Sequence, residues 1–216
     1  MGKPSVRKIR NLCVFCGSSS GKDRSFVDVA SDLGKTLAER KIHLVYGGGS
    51  LGLMGCVSAV AYVRGSQVLG IIPKPFVSEN ITGMTIGEKL QVSSMHERIG
   101  KMLCYSDAFI CLPGGFGTLE ELFQVASWAQ LNIHQKPIGL LNVNNFFDDL
   151  LSFLDKAVEQ QFISQSTREM LVIASTPGQL IDKLETYVHK PDPITAQIDY
   201  FGTENKRRKL GLTLRL

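Results

Sequence analysis

The chain has 216 residues, 44% hydrophobic and 20% charged, enough for one well-filled globular core and short for two independent domains. Lys206, Arg207, Arg208, Lys209 and Arg215 crowd the C-terminal end, and everything before them sums to −1. The overall charge of +4 is therefore no argument for a nucleic-acid-binding body. No apolar run reaches the roughly 18–20 residues that span a bilayer, and Met1–Arg10 leads into a strand rather than a signal-peptide core. A cytoplasmic protein is expected, with neither membrane nor nucleic acid as partner. The cluster Lys206–Lys209 reads as a solvated tail, with a nuclear-import address as the second reading.

In chain order, short β-branched or aromatic runs alternate with longer helical patterns. Strands are predicted at Asn11–Cys16, His43–Tyr46, Gln67–Ile72, Ala108–Leu112, Pro137–Val143 and Leu171–Ala174. Helices are predicted near 25–40, 52–64, 94–106, 118–132, 145–160 and 177–188. Runs such as Ala108-Phe-Ile-Cys-Leu112 suit strands buried on both faces. The alternation predicts an α/β fold, a single Rossmann-like doubly wound parallel sheet with helices on both faces. Residues 1–10 read as an N-terminal extension and 11–189 as the one domain. Residues 190–216 lose periodicity and read as a basic, disordered tail outside it.

Cys13-Val-Phe-Cys16 spells C-x-x-C inside a predicted strand, where positions i and i+3 point to opposite faces. One metal or one disulfide can hardly use both thiols from that geometry, and no second pair completes a site. All five cysteines, Cys56, Cys104 and Cys111 included, read as buried reduced thiols, and no metal site is predicted.

In a sheet of this kind ligands sit beyond the carboxyl ends of the strands. Three predicted strands run there into small or glycine-rich turns: Gly17–Gly21, Gly47–Gly55 and Pro113–Thr118. Gly47, Gly49 and Gly52 match G-x-G-x-x-G, but the turn follows the second strand and the next acid is Glu79, which disfavours a dinucleotide. The Pro113 turn is more telling. Its glycines permit close backbone approach, and Thr118 is placed to cap the helix that follows. Free N–H groups and the positive end of the helix dipole then make an anion site sized for a phosphate. No lysine stands where a Walker loop needs one, which disfavours triphosphate hydrolysis.

Glu121 carries two readings. Thr118-Leu-Glu-Glu121 fits a capping box, in which the glutamate only returns a bond to the cap. Alternatively, Thr118 and Glu121 share the face toward the crevice, and a carboxylate beside a bound phosphate serves the sugar. Ser94-Met-His-Glu97 makes a second capping box, which accounts for Glu97. The helix it opens puts Met95, Arg98, Ile99 and Met102 on one face. Arg98 thus borders an apolar stripe and calls for a phosphate or carboxylate partner. His96 lies off that face, and no Ser/His/Asp spacing supports a hydrolytic triad.

Tyr46-Gly-Gly-Gly49, Met95-His-Glu-Arg98 and Pro113-Gly-Gly-Phe-Gly-Thr-Leu-Glu-Glu121 together resemble the Lonely guy family of cytokinin riboside 5′-monophosphate phosphoribohydrolases, over about residues 8–188. The resemblance implies a hydrolase that needs no cofactor and releases an N6-substituted adenine and ribose 5-phosphate from a nucleoside monophosphate. It implies a homodimer with the site near the subunit boundary. Arg98 and Glu121 resemble the family's catalytic pair. Gly114, Gly115, Phe116, Gly117, Thr118, Leu119, Glu120 and Ser127 resemble its substrate-binding residues, Ser127 standing where relatives carry threonine. Relatives have also been labelled lysine decarboxylases, but no lysine here stands in a recognisable site for a Schiff base. Two departures accompany the match. Ile99 replaces the lysine of the M-H-x-R-K motif, and Asn80 and Met84 replace two glutamates of the preceding loop. With residue 99 read as exposed, the anion site loses one cation; in the second reading Ile99 is absorbed into packing with Met95 and Met102. Two classes then remain to be separated, an active hydrolase and a nucleotide-binding protein of the same fold.

Overall fold

The computed structural model describes residues 7–77, 82–192 and 194–198. Seven strands form one sheet: β1 (Asn11–Phe15), β2 (His43–Tyr46), β3 (Val68–Pro73), β4 (Glu88–Val92), β5 (Ala108–Cys111), β6 (Ile138–Leu141) and β7 (Leu171–Ala174). Their order is β4-β3-β2-β1-β5-β6-β7, and every pairing is parallel. The helices are α1 (Arg24–Glu39), α2 (Gly52–Val63), α3 (Met95–Tyr105), α4 (Phe116–Gln130), α5 (Asp148–Glu159), the single turn α6 (Gln165–Arg168) and α7 (Pro177–Thr186).

Alternate residues of β1 feed two cores. Leu12 and Val14 pack with Leu33 of α1, Val57 of α2 and Leu180 of α7 on one face of the sheet. Cys13 and Phe15 pack with Met102 of α3, Leu122 of α4 and Leu151 of α5 on the other. Burial on both faces is why the inner strands read as continuous apolar runs. The same alternation sends Cys13 into one core and Cys16 into the other. Cys104 departs from the expected burial: it falls on the outer side of α3 and is exposed, while Cys56 is half-buried.

Each predicted strand is found, two with the expected bounds and the others with ends shifted by one or two residues. β4 is the addition. Glu88, Lys89 and Gln91 are exposed and only Val92 is fully buried, so this edge strand lacks the apolar run that marks the inner ones. Charges on an edge also discourage pairing with other chains.

Near both ends the chain stays on the body beyond the expected limits. Ile9 is buried in the first core, and the Arg7 N–H donates to the Glu185 carbonyl at 2.9 Å. Past residue 189, the buried Asp192 carboxylate accepts from Ser164 Oγ at 2.5 Å and Thr167 Oγ1 at 3.1 Å. Thr195 donates its hydroxyl to the Gln130 carbonyl. The basic cluster 206–209 lies outside the described residues. Among those described, no helix is long and apolar enough to cross a membrane.

From β1 the chain works outward to β4, then returns to the other side of β1 with β5. That reversal opens a crevice above the carboxyl ends of β1 and β5.

Candidate active site

The three glycine turns meet in this crevice. Gly17 follows β1, Gly47 follows β2 and Gly114 follows β5. Gly17 N–H donates to the Pro113 carbonyl at 3.0 Å, and Met54 N–H donates to the Gly17 carbonyl at 3.3 Å. A Cβ on Gly114 would fall 2.1 Å from Thr118 Oγ1 and 2.9 Å from the Gly17 nitrogen, so only glycine lets these turns touch.

Helix α4 begins at Phe116, with Gly115 as a cap that offers no side chain and no acid in the first turn. The first N–H groups of a helix have no intrahelical acceptor, and here the positive end of the dipole is uncompensated. Gly115, Phe116, Gly117 and Thr118 line a cleft of about 280 Å³ with Ser18, Gly47, Met54, Met95, Arg98, Glu120 and Glu121. That volume is near the lower end of the usual range for small-molecule sites.

The expected Thr118–Glu121 capping box does not form. Because α4 starts two residues earlier than predicted, Thr118 lies inside its first turn and Glu121 in its second. Thr118 is 4% exposed and Glu121 6%. Glu121 meets Arg98 instead, with Oε1 2.5 Å from Nη1. Arg98 Nε donates to the Ile71 carbonyl at 3.2 Å, and its Nη2 lies over Gly47, where a Cβ would be only 2.6 Å away. Arg98 thus has the anionic partner its position calls for, a carboxylate. Burial pushes the Glu121 carboxyl up to about 7; Arg98 opposes that rise and Glu120 adds to it. A buried carboxyl beside a cation in a cleft is the environment in which acid–base groups are tuned to neutral pH.

The other expected residues divide. Gly114, Gly115 and Gly117 build the turn, Phe116 stands 95% exposed at its rim, and Glu120 lines the cleft while accepting from Gln124 Nε2. Leu119 and Ser127 do not line it. Leu119 packs against the core under α4. Ser127 donates its hydroxyl to the Phe123 carbonyl at 2.7 Å and the Gln124 carbonyl at 3.0 Å. Helix geometry is the reason: residue 127 lies roughly 13 Å along the axis from residue 118.

Residue 99 corrects the sequence reading. Ile99 is 3% exposed and belongs to the core beneath α3 with Met102. Its spacing from Met102 places it on the buried stripe, not the outer face, so no exposed position has lost a cation. Met84 is exposed in the loop before β4 and does not line the cleft; Asn80 lies outside the described residues. Ser94 caps α3 by accepting from the Glu97 N–H at 3.1 Å. The Glu97 carboxylate reaches one residue further back than a capping box requires, accepting from Ser93 N–H at 2.7 Å and Ser93 Oγ at 2.6 Å. His96 is exposed, as expected.

The sequence places Gly47 among the turns that meet the crevice but not its use, which is to make room for the guanidinium. It missed the Ile71 carbonyl that holds Arg98, since a backbone carbonyl carries no sequence signal. A larger cavity of about 770 Å³ opens at the amino ends of the strands, lined by Asn11, His43, Gln67, Glu88 and Tyr105 among others. Gly65 and Gly87 line it, but among the described residues it has no helix N-terminus and no ion pair, so the smaller cleft is the better candidate.

A family model described as possible lysine decarboxylase matches residues 54–184. The chain is 56% identical over 180 residues to a cytokinin riboside 5′-monophosphate phosphoribohydrolase of Arabidopsis thaliana, covering 83% of this chain and 84% of that one. It is 53% identical over 193 residues to a probable enzyme of the same name from Oryza sativa subsp. japonica, covering 89% and 77%. Among solved structures it is similar to the molybdenum cofactor binding protein from Rippkaea orientalis, with a TM-score of 0.62 and 22% identity over 83% of this chain and 97% of that one. A second, TM1055, gives a TM-score of 0.62 and 20% identity over 82% and 99%. At such identities the likeness is one of fold.

Proposed function

The chain belongs to the Lonely guy family of cytokinin riboside 5′-monophosphate phosphoribohydrolases, and we propose that it hydrolyses N6-substituted adenosine 5′-monophosphates to the free base and ribose 5-phosphate. The observation that carries this reading is the meeting, in one cleft, of an uncapped helix N-terminus with a buried Arg98–Glu121 pair.

The 5′-phosphate sits on the Gly114–Thr118 turn, where backbone N–H groups and the dipole of α4 receive its charge. Binding energy is thereby gained away from the bond that breaks. Cleavage of the C1′–N9 bond leaves the electron pair on the base and oxocarbenium character on the ribose. Glu121, one turn along α4, supplies negative charge to that carbon and can take the proton of the water that adds to it. Arg98 steadies negative charge on the departing base or the phosphate. Hydrolysis needs only water as co-reactant. The decarboxylase label finds no support here, because among the described residues no lysine lines the cleft that could form a Schiff base. Assembly as a homodimer is part of this reading, supported by Phe116 and Phe123, which α4 leaves 95% and 41% exposed. Cytoplasm is the compartment that goes with it.

The phosphate site sets the first test. Isopentenyladenosine monophosphate is expected to be cleaved at a rate at least 10²-fold above its riboside, since losing hydrogen bonds to a charged group costs about 1.5–3 kcal/mol each. Equal turnover of the two, measured by chromatography of released base, would remove the helix N-terminus from the account.

Gly47 gives a second test. A methyl at this position collides with Arg98 Nη2 at 2.6 Å and Met54 Sδ at 3.0 Å, both of them side-chain atoms. Gly47→Ala is expected to fold and to lose up to about 10²-fold in kcat/KM through displacement of the guanidinium. Wild-type kinetics in this variant would mean that the position of Arg98 does not matter to turnover.

A further inference from the structure

Between α4 and β6 the chain passes through His134-Gln135-Lys136, a short loop that does not line the cleft. Two of its side chains are buried or half-buried and point at backbone carbonyls of different helices. His134 is 8% exposed, and its Nε2 lies 2.8 Å from the Val125 carbonyl of α4. Its Nδ1 accepts from the Lys136 N–H at 3.1 Å, so Nε2 carries the proton and donates to Val125. Lys136 Nζ donates to the carbonyls of Leu103 at 2.5 Å and Ser106 at 2.6 Å, which are the last turn and the cap of α3. A cation there also matches the negative end of the helix dipole. The loop is fixed to the sheet as well: the His134 ring packs against Phe109 of β5 with centroids 5.8 Å apart, and the Phe109 N–H donates to the Pro137 carbonyl at 3.0 Å.

Arg98 is on α3 and Glu121 on α4. Val125 follows Glu121 by one turn on the same side of its helix, and Leu103 lies little more than a turn after Arg98. One loop therefore grips both helices just behind the two charged groups.

We propose that His134 and Lys136 are positioning residues, which bracket α3 and α4 to each other and to β5 and so hold Arg98 and Glu121 at contact distance. The inference rests on the reading of Arg98 and Glu121 as the catalytic pair. A half-buried ammonium spent on two carbonyls and a buried imidazole spent on one are otherwise hard to account for, since a leucine or phenylalanine would fill the same space without leaving polar groups to satisfy.

The test compares matched variants of the full-length protein, with fold checked by circular dichroism and turnover of isopentenyladenosine monophosphate measured at steady state. Lys136→Met keeps the aliphatic stem and removes both bonds; Lys136→Arg keeps the donors. His134→Phe keeps the ring against Phe109 and removes both bonds; His134→Gln keeps a donor for Val125. The expected result is a kcat about 3- to 10-fold lower in Lys136→Met and His134→Phe, with KM within twofold of wild type, and recovery of most of the loss in Lys136→Arg and His134→Gln. Should Lys136→Met not fold, His134→Phe decides. A folded His134→Phe or Lys136→Met protein with kcat within twofold of wild type would overturn the proposal, as would a loss that the conservative variants do not recover. If instead Glu121→Gln keeps full activity, it is the assignment of the catalytic pair that has failed, and the two failures are told apart.

Discussion

Glu121→Gln is expected to yield a folded protein whose turnover is lower by roughly 10²–10⁴-fold, the usual scale for loss of an acid–base side chain. Glutamine has nearly the same shape, and its amide oxygen can still accept from the Arg98 guanidinium, so packing around the cleft survives. What disappears is the charge beside C1′ and the ability to take a proton. The wild-type pH profile belongs to the same expectation. With the carboxyl pushed up to about 7, kcat/KM should fall as pH drops below that value and the carboxylate is protonated. The second ionisation of a phosphate monoester, near 6, adds a separate limb. A role confined to packing and to accepting from Arg98 would be served nearly as well by glutamine. Near-normal turnover in a folded Glu121→Gln protein would therefore return the residue to structure alone.

Arg98→Met is expected to lose activity on a similar scale and, in addition, to make stability depend on pH in a particular direction. Removing one partner of a buried ion pair leaves the other uncompensated, at a cost of about 3–5 kcal/mol if it stays charged. Glu121 escapes part of that cost by taking up a proton, since loss of Arg98 removes the one influence that lowers its pKa. A carboxyl whose folded value lies above its unfolded value contributes stability that is whole below the unfolded value, near 4.5, and is lost as pH rises through the folded one. The melting temperature of Arg98→Met should therefore lie close to that of wild type at pH 5 and well below it at pH 8. A deficit that is larger at pH 5 than at pH 8 would mean that Glu121 is not the group left without a partner.

Much of this was legible in the sequence. The inner strands announced themselves as apolar runs because both of their faces are covered, and the glycine turns announced the end of the sheet where ligands bind. Arg98 on an apolar stripe called for an anion, and the structure supplies one. β4 was not legible, since an edge strand with Glu88, Lys89 and Gln91 outward has no hydrophobic signature. The start of α4 was misplaced by two residues, because Thr118 followed by Glu121 is a strong local cue for a cap. Tertiary packing competes with that cue: a Cβ on Gly114 would meet both Thr118 and the Gly17 turn, so Thr118 is packed against the turn inside the first turn of α4. Ile99 was misjudged for a related reason. Helical spacing says which residues share a stripe but not where the stripe's edge falls, and adjacent positions hold the guanidinium in the cleft and the isoleucine in the core. The loop at 134–136 gave no signal at all, because its bonds run to backbone carbonyls distant in sequence.

If the Arg98–Glu121 cleft breaks the bond between base and ribose 5-phosphate, the identity of the products will show it. Purified protein incubated with isopentenyladenosine monophosphate should release free isopentenyladenine and ribose 5-phosphate in equal amounts, without added metal or cofactor, and Glu121→Gln should release neither at a comparable rate. Calorimetric binding of the nucleotide with no base released by the wild-type protein would contradict the account, and would identify the chain as a nucleotide-binding protein built on the fold of a hydrolase.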